Sequence, residues 1–153
     1  MSSKSEKTIK KKKQGRPRKT KKESYIYAVG RRRTAAARVR LHPNKKGGII
    51  VNNKPIEEYF PGEVLKKLYL APLKTCNVID KYLVTVRVEG SGQMGQLGAI
   101  VHGISRALVN LNKEKFRPIL KKRGFLTRDP RMKERRKVGT GGKARRKKQS
   151  PKR

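Results

Sequence analysis

A chain of 153 residues with 44 Lys or Arg against 10 Asp or Glu carries a net charge of +34. One cysteine, two histidines and no apolar run of 18 residues exclude a disulfide scaffold, a His/Cys metal cluster and a membrane-spanning helix. Acids are scarce, and no Ser/His/Asp or paired-carboxylate arrangement stands out. The balance therefore points away from catalysis and toward a polyanion, because a small domain repels itself at such charge unless counter-charge is supplied.

Residues 1–24 hold eleven basic and two acidic residues and read as a disordered Lys-rich arm. Within it Gly15-Arg16-Pro17-Arg18-Lys19 is similar to the core of the AT-hook, with Gln14 where that motif has Arg. A generic RNA-clamping arm is the other reading. A folded core is expected over 25–127. Residues 34–41 alternate, with Ala37, Val39 and Leu41 on one side and Arg38 and Arg40 on the other, which predicts a half-buried strand with a cationic outer face. Ile49-Ile50-Val51, the turn Asn52-Asn53 and Pro55-Ile56 predict a short hairpin. Pro61-Gly62-Glu63 opens a helix with Val64, Leu65 and Leu68 at helical spacing, expected to close before Pro72. Tyr82, Val84, Val86 and Val88 alternate with Leu83, Thr85 and Arg87, the clearest strand in the chain. Leu97, Val101, Ile104 and Leu108 then mark a long amphipathic helix, and a shorter one is expected over 113–122, limited by Pro118. Strands first and helices later predict an α+β fold, an open sheet with helices on one face. Residues 128–153 carry thirteen basic and two acidic residues without apolar periodicity, and are expected to be an extended tail ordered only against a polyanion.

Three features carry candidate chemistry. Gly30-Arg31-Arg32-Arg33 precedes the cationic strand, and its adjacent guanidiniums could bridge several phosphates. Gly90-Ser91-Gly92-Gln93-Met94-Gly95 matches G-x-G-x-x-G between a strand and a helix. A dinucleotide site needs a further parallel strand, for which the basic, Pro-interrupted chain after Asn110 leaves no room. The loop is read instead as a grip on an RNA phosphate through Gly90, Gly92 and Gly95 at a helix N-terminus, or as a tight turn. With eight aromatic residues and none on the outer side of the Leu83, Thr85, Arg87 strand, recognition by shape and backbone is expected rather than base stacking. His102 beside the apolar stripe reads as packed or RNA-facing. Lone Cys76 fits a reducing compartment, and neither a signal-peptide core nor an Arg-rich transit pattern opens the sequence.

Four blocks resemble the small-subunit ribosomal protein nine family of the bacterial and organellar branch. They are Gly30 to Val39 (GRRRTAAARV), Ile56-Glu57-Glu58-Tyr59-Phe60, Gly95 to Ile104 (GQLGAIVHGI) and Lys121 to Arg131 (KKRGFLTRDPR), followed by the closing Lys152-Arg153. The family usually has a third glycine where Ser91 stands, Arg where Val101 stands and Ser where Pro151 stands. The resemblance implies a fold like the second domain of ribosomal protein five, with a left-handed β-α-β crossover. It implies a structural, non-enzymatic role in translation, on a bacterial cytoplasmic or an organelle ribosome. The expected partners are the 3′ domain of small-subunit rRNA in the head, neighbouring head proteins and P-site tRNA, with no cofactor, metal, small-molecule substrate or membrane. Expected rRNA contacts are Arg31, Arg32, Arg33, Arg38, Arg40, Gly90, Gly92, Gly95, Gln96, His102, Arg106, Lys121, Lys122, Arg123, Arg128 and Arg131, continued along the tail by Arg135, Arg136, Lys143, Arg145 and Arg146. Lys152 and Arg153 are expected on the anticodon stem-loop, since 26 extended residues reach up to roughly 90 Å. A DNA-binding architectural protein, on the strength of the arm, and a nucleotide-dependent enzyme, on the strength of the glycine loop, are the readings from other classes.

Overall fold

The computed structural model describes residues 24–135. Nearly all of the arm, and the tail from Arg136 on, with Lys143, Arg145, Arg146, Lys152 and Arg153, lie outside the described residues.

The fold is α+β, a five-stranded mixed sheet in the order β1-β2-β5-β3-β4 with helices. Strands β1 (Ile26–Arg32) and β2 (Ala35–His42) form a hairpin, and β2 pairs antiparallel with β5 (Leu83–Glu89). Strand β3 (Ile49–Val51) pairs parallel with β5 and antiparallel with β4 (Lys54–Pro55). The predicted hairpin is present, because Asn52 and Asn53 both adopt positive φ, 47° and 67°, as its two-residue turn demands. Asn52 also extends the parallel ladder: its side chain donates to the Val88 carbonyl and accepts from the Val88 amide, both at 3.0 Å. A one-turn helix α1 (Ile56–Tyr59) and helix α2 (Glu63–Thr75) link β4 to β5, and α3 (Gln93–Leu111) and α4 (Lys113–Lys122) follow.

Strand alternation decides the two sides of the sheet. Ala37, Val39 and Leu41 of β2 and Val84, Val86 and Val88 of β5 are buried beneath the helices, while Arg38, Arg40 and Arg87 are exposed. Helix α3 lies on the sheet through Leu97, Ile100, Ile104 and Leu108, and α2 and α4 pack beside it. Helix α4 begins at the expected residue because the Asn112 side chain accepts from the Lys115 amide at 3.0 Å, and it buries Phe116 and Leu120 one turn apart. Pro118 does not shorten it. No helix among the described residues is long and apolar enough to cross a membrane.

Four readings are corrected. The strand with which the sheet begins, β1, has no strong alternation signal and is not among the expected elements; Gly30-Arg31-Arg32 lies within it, and the block precedes the cationic strand β2 as expected. Helix α2 does not close before Pro72 but runs through it to Thr75; the Leu68 carbonyl, which loses its partner, belongs to an exposed residue, while the proline ring is buried. The buried face of α2 is Tyr69, Pro72 and Leu73, whereas Val64 is 72% exposed. In α3 the fully buried position is Ile100, and Val101 is only half-buried.

Helix α3 and β1 touch backbone to backbone. A Cβ at Gly30 would collide with the Ala99 carbonyl and the Gly103 amide, and one at Gly103 would come 2.6 Å from a Val39 methyl. We expect Gly30→Ala to lower the unfolding free energy of the full chain by about 3 kcal/mol, the upper part of the range for overpacked sites, since backbone has to move. Gly92→Ala, where nothing lies within 4 Å, should cost about 1 kcal/mol or less. Urea denaturation followed by circular dichroism measures both, and equal losses would contradict the close-approach account.

Candidate nucleic-acid interface

Arg31, Arg32 and Arg33 do not act as one cluster. Alternation along β1 sends Arg31 and Arg32 to opposite sides of the strand. Arg33 occupies the β1–β2 turn with φ of 52° and is exposed. Arg32 lies across α3 at Gly98, where a Cβ would run into its side chain. It donates to the Met94 carbonyl at 3.4 Å and stands 3.7 Å from the Asp129 carboxylate. That guanidinium belongs to the fold.

On the other side of β1, Arg31, Arg106 and Arg128 surround His102 in a hollow completed by Val29. No carboxylate lines it. Arg106 donates to the Val29 carbonyl on the outer edge of the sheet. His102 Nδ1 accepts the Arg31 backbone N–H at 3.3 Å, which fixes the neutral tautomer with hydrogen on Nε2. Burial first, then the Arg106 charge, hold the imidazole below its usual value of 6.5, opposed by the backbone hydrogen bond with Leu126. His102 thus ties β1, α3 and the segment leaving α4 together.

That segment is shaped before it leaves the core. Gly124 takes φ of 73°, and Phe125 donates to the Leu120 carbonyl at 3.1 Å, closing α4. Phe125 and Leu126 pack partly against the core. Asp129 accepts from the Arg131 amide at 3.0 Å and from its guanidinium twice at 3.1 Å, and these bonds pull its carboxyl from 3.8 to about 2. Asp129 is therefore ionised, and it links Arg131 to Arg32. Lys121, Lys122, Arg123 and Arg135 are exposed around this exit.

The open face of the sheet is a shallow basin of about 950 Å³. Arg38 of β2 stands directly opposite Arg87 of β5, and Arg40 opposite Thr85. Strand β1 adds Tyr27, paired with Arg40, and Tyr25 just before it. The Arg40 guanidinium lies 5.1 Å from the centre of the Tyr25 ring, which also tilts against His42 at 5.9 Å. Sequence reasoning named Arg38 and Arg40 but missed Tyr25, Tyr27 and Arg87 as members of one surface. The available signal was the spacing of Tyr25, Tyr27, Val29 and Arg31, which is that of one strand face.

The glycine loop is largely explained by packing. Gly90 has φ of 80°, and a Cβ there would lie 2.6 Å from the Thr34 carbonyl oxygen. Gly95 faces the Ser91 side chain, while Gly92 has open space around it. Gln96 donates to the Gly90 carbonyl at 3.2 Å and accepts from the Tyr59 hydroxyl at 2.9 Å, so its amide is occupied within the fold.

An α+β core whose sheet face carries Arg38, Arg40 and Arg87 with no ion pair among the described residues, and with a cationic hollow at its edge, defines a class: a polycationic scaffold protein suited to a polyanion. The sequence matches the family described as Ribosomal protein S9/S16 over residues 30–153. It is also 49% identical, over 115 residues, to the small ribosomal subunit protein uS9 of Lawsonia intracellularis (strain PHE/MN1-00), an overlap of 75% of this chain and 87% of that protein. The chain belongs to this ribosomal protein family, and it is a structural protein of translation, not an enzyme.

The depressed His102 value sets a pH dependence. The unfolded chain takes up the proton first, so the contribution of His102 is fully present above pH 6.5 and is lost as pH falls through the lower folded-state value. Asp129, near 2, stays charged throughout that window. Stability of the wild type should fall below about pH 6.5, and His102→Gln should flatten the fall. Denaturation midpoints in a pH series measure it; identical profiles would show that His102 does not hold the segment.

Proposed function

We propose that the protein is a constituent of the small ribosomal subunit whose core binds the 3′ domain of small-subunit rRNA in the head. Its tail, 128–153, runs through rRNA to the P site, where Lys152 and Arg153 hold backbone phosphates of the tRNA anticodon stem-loop. The family match and the bacterial relative named as a small-subunit protein support the location. A bacterial cytoplasmic ribosome or an organelle ribosome fits the same reading. The observation that carries the RNA contact is the convergence of Arg31, Arg106 and Arg128 on a hollow without a carboxylate. An RNA phosphate supplies the negative charge that these three guanidiniums lack. Gly92 leaves space for a second phosphate at the start of α3. Arm 1–24 is assigned to non-specific contact with nucleic acid, since the family match begins at residue 30. Kinship with domain two of ribosomal protein five, with a left-handed crossover, belongs to this reading. The parallel pairing of β3 with β5 across α2 supports a β-α-β unit there.

Two measurements test these contacts. Each lost phosphate contact flattens the log–log salt dependence of rRNA-fragment binding by about 0.7 for a single strand and about 0.9 for a duplex. The pair Arg31→Ala and Arg128→Ala should therefore flatten it by nearly two such increments, and Arg32→Ala by none. An unchanged slope in the double variant would show that the hollow faces solvent.

Removal of Lys152 and Arg153 should leave incorporation into subunits normal and weaken P-site tRNA by about 1 kcal/mol, several-fold in dissociation rate. Unaltered tRNA dissociation at several salt concentrations, with normal incorporation, would sink the tRNA contact.

A further inference from the structure

We propose that the open face of the sheet is a stacking platform for unpaired RNA bases, with Tyr25 and Tyr27 as the stacking rings and Arg38, Arg40 and Arg87 as the phosphate partners. This rests on the RNA-binding reading above and adds the form of RNA recognised there. The helices cover only one side of the sheet, so the other side has no protein layer over it among the described residues. Tyr25 is 45% exposed and Tyr27 49% exposed, Tyr27 on β1 and Tyr25 just before it. Two residues apart on one face, they stand about 7 Å apart along the strand. That spacing lets two successive splayed bases of an extended strand each meet a ring.

Charge selects the occupant. Arg38 and Arg87 are direct cross-strand partners, an arrangement that is unfavourable between like charges. Neither makes an ion pair among the described residues. Glu89 lies two residues beyond Arg87 on the same face, opposite Ala36, and forms no ion pair with either guanidinium among the described residues. An anion between the two guanidiniums removes the repulsion, and a ribose–phosphate backbone crossing β2 supplies it. Arg40 lies over the Tyr25 ring, 5.1 Å from its centre, in cation–π contact. Thr85, its hydroxyl 3.2 Å from His42 Nε2, and half-buried Leu83 floor the basin without blocking it. Aromatic rings beside arginines on an exposed sheet are the arrangement by which single strands are held with little sequence preference.

The test uses the full chain and three probes at one salt concentration: a 12-nucleotide oligoadenylate, an abasic ribose–phosphate strand of about that length, and an RNA duplex. Five tyrosines and no tryptophan make tyrosine fluorescence the direct readout. The base-bearing strand should bind about tenfold tighter than the abasic strand and quench tyrosine emission. The pair Tyr25→Leu and Tyr27→Leu should bring that ratio close to one while leaving duplex binding and the salt slope unchanged; Phe at both positions should preserve the ratio. Equal binding of both single strands by the wild type, or a ratio that survives the Leu pair, overturns the platform but not RNA binding. Failure of all three probes to bind overturns the RNA reading itself. Loss of a neighbouring protein from assembled subunits in the Leu pair, with the base preference intact, also overturns the platform and gives the face to protein docking.

Discussion

The contact on which the structure depends is the backbone approach of α3 to β1 at Gly30 and Gly103. With no Cβ on either side, the helix settles directly on the edge strand, and Val39 fills the space beside Gly103. A larger residue at either point lifts α3, and with it Ile100, Ile104 and Leu108, off the sheet. The same approach places His102 and Arg106 against the outer edge of β1, where the Arg31 amide and the Val29 carbonyl would otherwise be left to solvent. The packing contact and the cationic hollow are therefore one feature.

Among so many arginines, local geometry separates those that build the protein from those that face outward. Arg32 spans Gly98 and reaches Asp129, Arg106 satisfies an edge carbonyl, and Arg131 is held by Asp129. Arg38, Arg40 and Arg87 instead emerge side by side from paired strands with no acid on their rows. Fixed on a sheet, such side chains lose less freedom on binding than they would on a flexible segment. Side by side in this way, they repel one another in the free protein.

The root of the tail is bound into the core rather than hung from it. Gly124 turns the chain, His102 bonds the Leu126 backbone, and Asp129 joins Arg131 to Arg32 on β1. These links hold the chain to the core as far as Arg131.

Much of this was legible in the residues. Alternation gave β2 and β5, the Asn52-Asn53 pair gave the β3–β4 hairpin, and helical spacing gave α3, because these signals are local and periodic. The motifs Gly30-Arg31-Arg32-Arg33 and Gly124-Phe125-Leu126-Thr127-Arg128-Asp129 pointed to the family before any fold was known. Strand β1 escaped because its buried side is Ala28 and Gly30, small residues that carry no hydrophobic signal until α3 is seen to press on them. Helix α2 was cut short at Pro72 because a proline's cost depends on whether the orphaned carbonyl can reach water, which is a property of the surface and not of the sequence window. The three arginines looked like one cluster because adjacency in sequence says nothing about side until the strand is known. Composition and motif thus determined what kind of partner this protein meets. Which arginines stand free on the sheet and which are tied into the fold was decided only when the edge strand, the helix and the tail root came together in space.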